Sequence, residues 1–481
     1  MNTGNGKRII GRKELFAGLG ILLFFVFGFL LRVPDVLEQS AQSNGYSGHS
    51  AMVVLAGLIW AICWWASGII PDWCTALLLQ GIFIAVAKIP FASAFGAFSK
   101  STLWLMIGTF CIAAAISKTG LLRRISLNLM KLFPPNFRGQ TLALLVVGAV
   151  CGPLMPSSTA KALLGGKLAY SNADLLEYEH NSRGRVGLFM AAWTGFYLIE
   201  PMFMSSSFMA YSMIGSLPEG HSEISWGQWF VAMLPWSIMM LVGMYFVIKL
   251  LYNPKEQRAF SAEYIRGECR ALGKMGRQEK ITAIILCICL AFWILEKRTG
   301  ISAGLVALMG GMLCFATGVL ERREISTSIN WGFTLFVGVV LNMGDIFISV
   351  GISNWLLHLF DPILTRINSP VLLVILFFSI TVAMRFLLSS QTAVLALLTG
   401  VFSTVALATG MHPFIAGLVI YTAIPVCILY FQNPSYLATI QSMDGTVEHS
   451  YTVKGHVLYL LVALSACLLS IPYWQLLGYQ K

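Results

Sequence analysis

The sequence is poor in charge. Only 11% of its 481 residues are Asp, Glu, Lys or Arg, against about 25% in a soluble domain. With 57% hydrophobic residues, a soluble fold would lack the polar surface to cover itself, so that class is excluded. Metal-ligand spacing is missing too. The ten cysteines are scattered with no CxxC pair, and the seven histidines include no HExxH-like pair. Most of the cysteines sit in apolar runs, where they behave as small hydrophobes. No cofactor is expected, sodium ions apart. No small-residue cleavage site follows the first apolar run, 15–31, so it reads as an uncleaved span. The net charge of +11 does not imply a nucleic-acid partner. The basic residues gather in loops on one side, which is the positive-inside pattern of a protein whose partner is the lipid bilayer.

What is present is a series of apolar blocks of the length that crosses a bilayer as a helix, about 20 residues. Spans are predicted at 15–31, 51–70, 73–89, 102–116, 186–214, 226–251, 281–296, 302–320, 331–350, 414–430 and 456–477. The fold class is therefore an all-α polytopic membrane protein with about eleven transmembrane helices. Residues 120–133 carry Arg123, Arg124 and Lys131 on an amphipathic stretch suited to the interface plane. A second short amphipathic piece follows Gly351 and ends near Arg366.

Two segments do not read as clean spans. Pro153 and Pro156 interrupt 140–170, dividing it into 140–152 and 160–170. Helices of that size reach about 17–20 Å, enough to arrive at the bilayer middle but not to cross. A re-entrant hairpin is expected, the alternative being one proline-kinked span. Residues 370–410 are broken in the same manner at Ser389, Ser390, Gln391 and Thr392. Of the long spans, 186–214 is interrupted at Glu200-Pro201, and 414–430 just past its end at Gln432, Asn433 and Pro434. If both hairpins return to the side they came from, the loops 34–49 and 217–225 lie outside and hold no Lys or Arg. The N-terminus is then cytoplasmic and the C-terminus outside, in a bacterial inner membrane.

The broken segments repeat. Ser157-Ser158-Thr159-Ala160 and Ser390-Gln391-Thr392-Ala393 agree at three of four positions and lie 233 residues apart. The same offset carries Pro201 onto Pro434. Before each hairpin a Trp opens a span that ends in Gly plus an apolar residue: Trp104 with Gly120-Leu121, and Trp331 with Gly351-Ile352. The chain divides into N-terminal scaffold spans (1–98), a first repeat (99–252, hairpin 140–170), a basic cytoplasmic linker (253–280), and a second repeat (281–481, hairpin 370–410). Because the two hairpins start from opposite sides, the repeat is inverted, the build of many secondary transporters. Ser or Thr at a helix start is usually only a cap. Two copies at matched breaks inside membrane segments point further, because irregular backbone at that depth is tolerated only where it is buried or lines a cavity. A half-helix starting at mid-membrane offers unpaired N–H groups and a positive dipole end to an anion. Substrate contacts are therefore expected from Ser157, Ser158, Thr159, Ser390, Gln391 and Thr392, beside the breaks at Pro201 and Pro434.

Ionisable residues within spans are functional candidates by default. Lys161 falls in the first turn beyond the first tip, and Glu200 at the first broken span. A snorkelling lysine is the plain alternative for Lys161. Asp345 and Arg385 fit structural pairing better.

At these residues the chain resembles the divalent anion–sodium symporter family, which is marked by a Ser-Asn-Thr-type motif at each of two hairpin tips. The resemblance runs from about Ser99 to the C-terminus, and Ser158 and Gln391 replace the central Asn. It implies a homodimer that carries dicarboxylates or citrate by an elevator motion of the hairpin-bearing domain. Candidate sodium ligands are Ser157, Gly195, Glu200, Ser390 and Asn433. The first motif, with Lys161 after the Thr-Ala pair, is most similar to the citrate/dicarboxylate exchanger branch. There a fixed ammonium could stand in for sodium. In that branch the second motif can also carry a basic residue, but here the position is Val394, so the second half lacks the substitute charge.

The expected function is transport of small di- or tricarboxylate anions, by exchange, with sodium-coupled symport as the alternative. As a fixed cation, Lys161 would leave the empty carrier with an unpaired charge and so favour exchange. A channel would need a continuous lined pore, and a membrane-embedded enzyme would need a nucleophile–base or metal constellation. The sequence offers neither.

The charge asymmetry generates a test of sidedness. Single cysteines at Gln39 and Arg270 on a cysteine-free background are treated with an impermeant thiol reagent in intact cells. Labelling at 39 and protection at 270 is the expected result, and the reverse pattern would overturn the topology.

Overall fold

The computed structural model describes residues 12–218, 220–355, 358, 369–388, 390–430 and 432–479. Ser389 and most of the amphipathic piece ending near Arg366 lie outside them. The described residues are helical and contain no strand; a single bridge joins Asn136 to Ala259. In chain order the main helices are α1 (Arg12–Phe25), α2 (Gly48–Ser67), α3 (Asp72–Ala85), α4 (Ser101–Thr119), α5 (Leu121–Met130), α6 (Phe137–Cys151), α7 (Ser158–Leu175), α8 (Arg183–Trp193), α9 (Phe208–Gly215), α10 (Trp226–Tyr252), α11 (Ala262–Ala271), α12 (Arg277–Ile294), α13 (Ala303–Ala316), α14 (Trp331–Val340), α15 (Met343–Ser349), α16 (Pro370–Leu387), α17 (Gln391–Ala408), α18 (Pro413–Ala423), α19 (Pro434–Gln441) and α20 (His449–Leu476).

Among the described residues, eight helices are long and apolar enough to cross a membrane. Two of these segments, 137–154 and 391–408, are hairpin arms, and length alone mistakes them for spans. The ends of the first hairpin meet: Asn172 Nδ2 donates to Gln140 Oε1 at 3.1 Å. The kinked-span alternative would hold those residues far apart. In the second hairpin the rings of Phe377 (α16) and Phe402 (α17) stack at 4.6 Å. The first return arm is longer than predicted, starting at Ser158 and running to Leu175.

The linker covers the base of the first hairpin. Phe260 N–H donates to the Pro135 carbonyl, Arg124 pairs with Glu279 at 2.5 Å, and Arg123 with Glu268 at 3.0 Å. The loops predicted on the other side also gather. Asn44 Nδ2 donates to Ile348 O at 2.9 Å, Lys100 pairs with Asp345 at 2.7 Å, and His412 N donates to Tyr479 O at 2.8 Å. Helix α10, with 27 residues, is about 40 Å long and connects the two faces. Phe137, at the base of the first hairpin, packs with Tyr252 around Gly187 at one end of α10. Phe414, just past the second hairpin, lies 5.6 Å from Trp229 at the other. The hairpins thus enter from opposite ends of α10.

Three elements differ from the sequence reading. The second broken span stops at Ala423, and its irregular stretch begins at Ile424-Pro425, several residues before Gln432. Pro425 has no N–H and disfavours helix at the residue before it. The span 331–350 is interrupted at Leu341-Asn342, where the Asn342 side chain donates to the Ser93 carbonyl. Residues 1–98 are also only part of the scaffold. Helix α2 packs on α3, α3 on α14, and α4 on α12, α13 and α14, while the group α6–α10 packs with α16–α20. Each repeat contributes to both bodies.

Close backbone approach sets the packing, as expected where small residues form helix contacts in membranes. A Cβ on Gly108 would collide with the Ala307 backbone, joining α4 to α13. A Cβ on Gly148 in α6 would collide with the Gly195 carbonyl. Gly148→Val should lower the melting temperature in detergent by several degrees, in line with overpacking costs of about 1–3 kcal/mol. Gly81→Ala, where a Cβ meets nothing within 4 Å, should not. Equal melting of the two variants would refute this account of the contact.

Candidate functional site

The first tip follows from its prolines. After α6 the chain turns through Gly152–Leu154 and extends at Met155. Ser157 caps α7, its hydroxyl accepting from Ala160 N. The next residues reach across the break. Ser158 Oγ lies 3.0 Å from Ser207 Oγ, and Thr159 Oγ1 lies 2.7 Å from Ser435 Oγ. Lys161 turns inward, 3.3 Å from Glu200 Oε1 and 2.8 Å from Ser206 Oγ, and also donates to the Ser206 carbonyl.

The second tip is built alike. Ser390 caps α17 through Ala393 N and donates to Asp72 Oδ2 at 3.3 Å. Gln391 Oε1 accepts from the Tyr197 hydroxyl at 2.8 Å. That hydroxyl accepts from Asn433 Nδ2 at 2.9 Å, and Asn433 caps α19 through Tyr436 N. Trp193 stacks on Tyr197 at 4.2 Å and holds the ring in place. Thr392 lies half-buried beside Gln391. Each tip therefore bonds to the broken span of the other half: Thr159 to Ser435, and Gln391 to Tyr197.

Arg385, at the end of α16, gathers the carbonyls of the second break. Its Nε donates to Ile424 O at 3.1 Å, its Nη1 to Leu388 O at 2.7 Å, and its Nη2 to the Gln432 carbonyl. Lys161 and Arg385 are each only 1% exposed. Such charges persist in low dielectric only when donors are satisfied, and here the freed carbonyls satisfy them.

These positions correct two expectations. The Lys161 ammonium is not an unpaired charge, because Glu200 stands beside it. The second half does hold a cation, supplied by Arg385 from the opposite arm of the hairpin rather than at Val394. Asp345 pairs with Lys100, whereas Arg385 bonds backbone carbonyls. Of the predicted site residues, Ser157, Ser158, Thr159, Lys161, Glu200, Ser390, Gln391 and Asn433 come together, with Thr392 adjacent. Pro201 lies within the first irregular stretch, where its carbonyl accepts from Trp229 Nε1 at 2.8 Å, and Pro434 ends the second by beginning α19. Gly195 serves the close packing on Gly148.

Sequence reasoning missed Asp72, Tyr197, Ser206, Ser207 and the carbonyl-gathering role of Arg385. The run Ser205-Ser206-Ser207 after the break was a readable signal. It also missed a cavity of about 640 Å³ beside the first tip. Pro156, Ser157 and Ala160 line one side, and Phe110 and Ser117 of α4 with Ser326, Ser328 and Asn330 line the other. The cavity lies between the hairpin-bearing body and the scaffold. It sits toward the face of the basic linker, where Lys118 pairs with Glu324 at 2.7 Å. Polar tips, two helix starts and an adjoining cavity suit a small anion. Among the described residues, no group of three or more His, Cys, Asp or Glu could hold a metal ion.

Known proteins resemble this chain in sequence and fold. The sequence matches the family described as the sodium:sulfate symporter transmembrane region over residues 14–480. It is 26% identical to the Escherichia coli inner membrane protein YbhI, covering 79% of this chain and 81% of that protein. It is 23% identical to the chloroplastic dicarboxylate transporter 1 of Arabidopsis thaliana (85% and 72% covered), and 24% identical to the L-tartrate/succinate antiporter of Shigella boydii (69% of each). Among solved structures, Neisseria gonorrhoeae MtrF superposes with a TM-score of 0.58 at 13% identity, over 93% of this chain and 97% of that one, a likeness of fold. A family match across nearly the whole chain shows that this multi-pass membrane protein, a transporter rather than an enzyme, belongs to the sodium:sulfate (divalent anion–sodium) symporter family.

Proposed function

We propose that the protein exchanges small dicarboxylates across a bacterial inner membrane, its hairpin-bearing body moving as an elevator against the scaffold. The N-terminus is cytoplasmic and the C-terminus outside. The observation that carries this reading is the crossing of both tips with both broken spans at one place. The N-terminal ends of α7 and α17 offer N–H groups and hydroxyls to carboxylates. The dicarboxylate transport and antiport named for the Arabidopsis and Shigella relatives support the substrate class and the exchange mode. The protein works as a homodimer. An apolar groove of about 250 Å³ on α12 and α13, lined by Ile288, Phe292, Leu305 and Met309, supports a contact between scaffolds.

Sodium coupling fits the site less well. A hard cation prefers carbonyl and carboxylate oxygen. The carbonyls of Ser206, Leu388, Ile424 and Gln432 are already taken by Lys161 and Arg385. The Asn433 side-chain oxygen and the Ser157 and Ser390 hydroxyls cap helices. Glu200 is beside Lys161. Most of the oxygens a sodium ion would use therefore have a partner in the chain, so the reading is exchange without sodium.

Proteoliposomes decide the mode. Labelled succinate should enter vesicles preloaded with succinate at least tenfold faster than empty ones, and replacing sodium by potassium should change the rate less than twofold. Concentrative uptake into anion-free vesicles under an inward sodium gradient would instead establish symport. The buried pair generates a second expectation. Lys161→Met leaves Glu200 buried without its cation, a loss of about 3–5 kcal/mol. Adding Glu200→Met should restore the melting temperature but not exchange. Full exchange in the double variant would remove the pair from the mechanism.

A further inference from the structure

Asp72 opens α3 directly after Pro71. It belongs to the scaffold, yet its carboxylate accepts a hydrogen bond from Ser390 at the second tip, Oγ to Oδ2 at 3.3 Å. The same hydroxyl oxygen caps α17 by accepting from Ala393 N. A scaffold carboxylate therefore stands at the N-terminal end of a helix in the other body. A helix start with a hydroxyl is the chemistry by which that tip would hold a substrate carboxylate.

Two further observations bear on this contact. Gln391, the next residue, has a buried Nε2 without a hydrogen-bond partner among the described residues, so a donor remains at this tip for an acceptor oxygen. Asp72 is also rigidly placed. Its carbonyl accepts from Trp65 Nε1 at 3.1 Å, and the Trp73 ring packs against Gly332, next to the Trp331 that lines the cavity. The carboxylate is carried by the corner between α2 and α3, fixed on the scaffold while the tip is on the body that moves.

We propose that Asp72 is an internal stand-in for a substrate carboxylate: it binds the second tip, latches it to the scaffold, and gives way when a dicarboxylate arrives. The proposal rests on the transport reading above and adds a cause for obligatory exchange. Two carboxylates at one helix start repel each other in a low-dielectric site, so substrate and Asp72 compete. A tip held by Asp72 is tied to the scaffold and does not travel. A tip holding substrate is released from that tie and can.

The test uses the full-length protein in detergent and in vesicles, with succinate as the probe. Asp72→Asn keeps the size and removes the charge. It should bind succinate about tenfold more tightly by calorimetry, and should raise net efflux into anion-free medium about tenfold relative to exchange. A second measurement does not depend on that variant. Asp72→Cys with Ser390→Cys, on a cysteine-free background, should form an oxidative cross-link that succinate slows at least fivefold. Unchanged affinity and flux ratio in Asp72→Asn, or a cross-link indifferent to succinate, would overturn the latch. Wild-type protein that binds succinate but shows no preference for exchange would fail the transport mode alone, because the affinity comparison still reads the competition at Ser390.

Discussion

A helix broken inside a membrane releases backbone carbonyls and N–H groups where no water from the lipid can meet them, and the centre of this protein is organised around that debt. Four breaks meet at one place: two hairpin tips and two interrupted spans. The freed carbonyls are taken by Lys161 at Ser206 and by Arg385 at Ile424 and Gln432 of the second span and Leu388 of the second tip. Hydroxyls and amides do the remaining work, capping α7, α17 and α19 with Ser157, Ser390 and Asn433. Irregular backbone at this depth survives because protein side chains satisfy it.

The same satisfaction ties the halves together. Thr159 bonds Ser435 and Gln391 bonds Tyr197, so neither tip is held only by its own repeat. Lys161 and Glu200 make a buried pair that adds no net charge to the centre. A buried pair is weak evidence for stability but costly to break, which suits a device that fixes geometry. The helix starts are left as the features that attract an anion.

The division into two bodies follows packing rather than chain order. Close contacts at Gly108 and Ala307 bind α4 to α13, and those at Gly148 and Gly195 bind the first hairpin to the broken span beside it. The cavity and the Asp72–Ser390 contact lie between the bodies. In the elevator motion proposed above, those features would change while the tip-to-break bonds travel intact. A site of this kind can be exposed on either face without being rebuilt.

Much of this was written in the sequence. The low charge and the blocks of apolar residues determined a polytopic helical protein, since nothing else hides so much hydrocarbon. Pro153, Pro156, Pro201 and Pro434 marked breaks, because proline lacks the donor a helix needs. The offset of 233 residues matched the tips before any contact was known. Other features were decided only by the tertiary structure. Lys161 faces Glu200 because α7 packs on the broken span, and no spacing fixes where a return helix will lie. Arg385 precedes its motif while Lys161 follows its own, so a repeat search at matched positions found Val394 and missed the cation. Asp72 lies 318 residues from Ser390. Such a contact has no sequence period, because it depends on how one folded body is set against another.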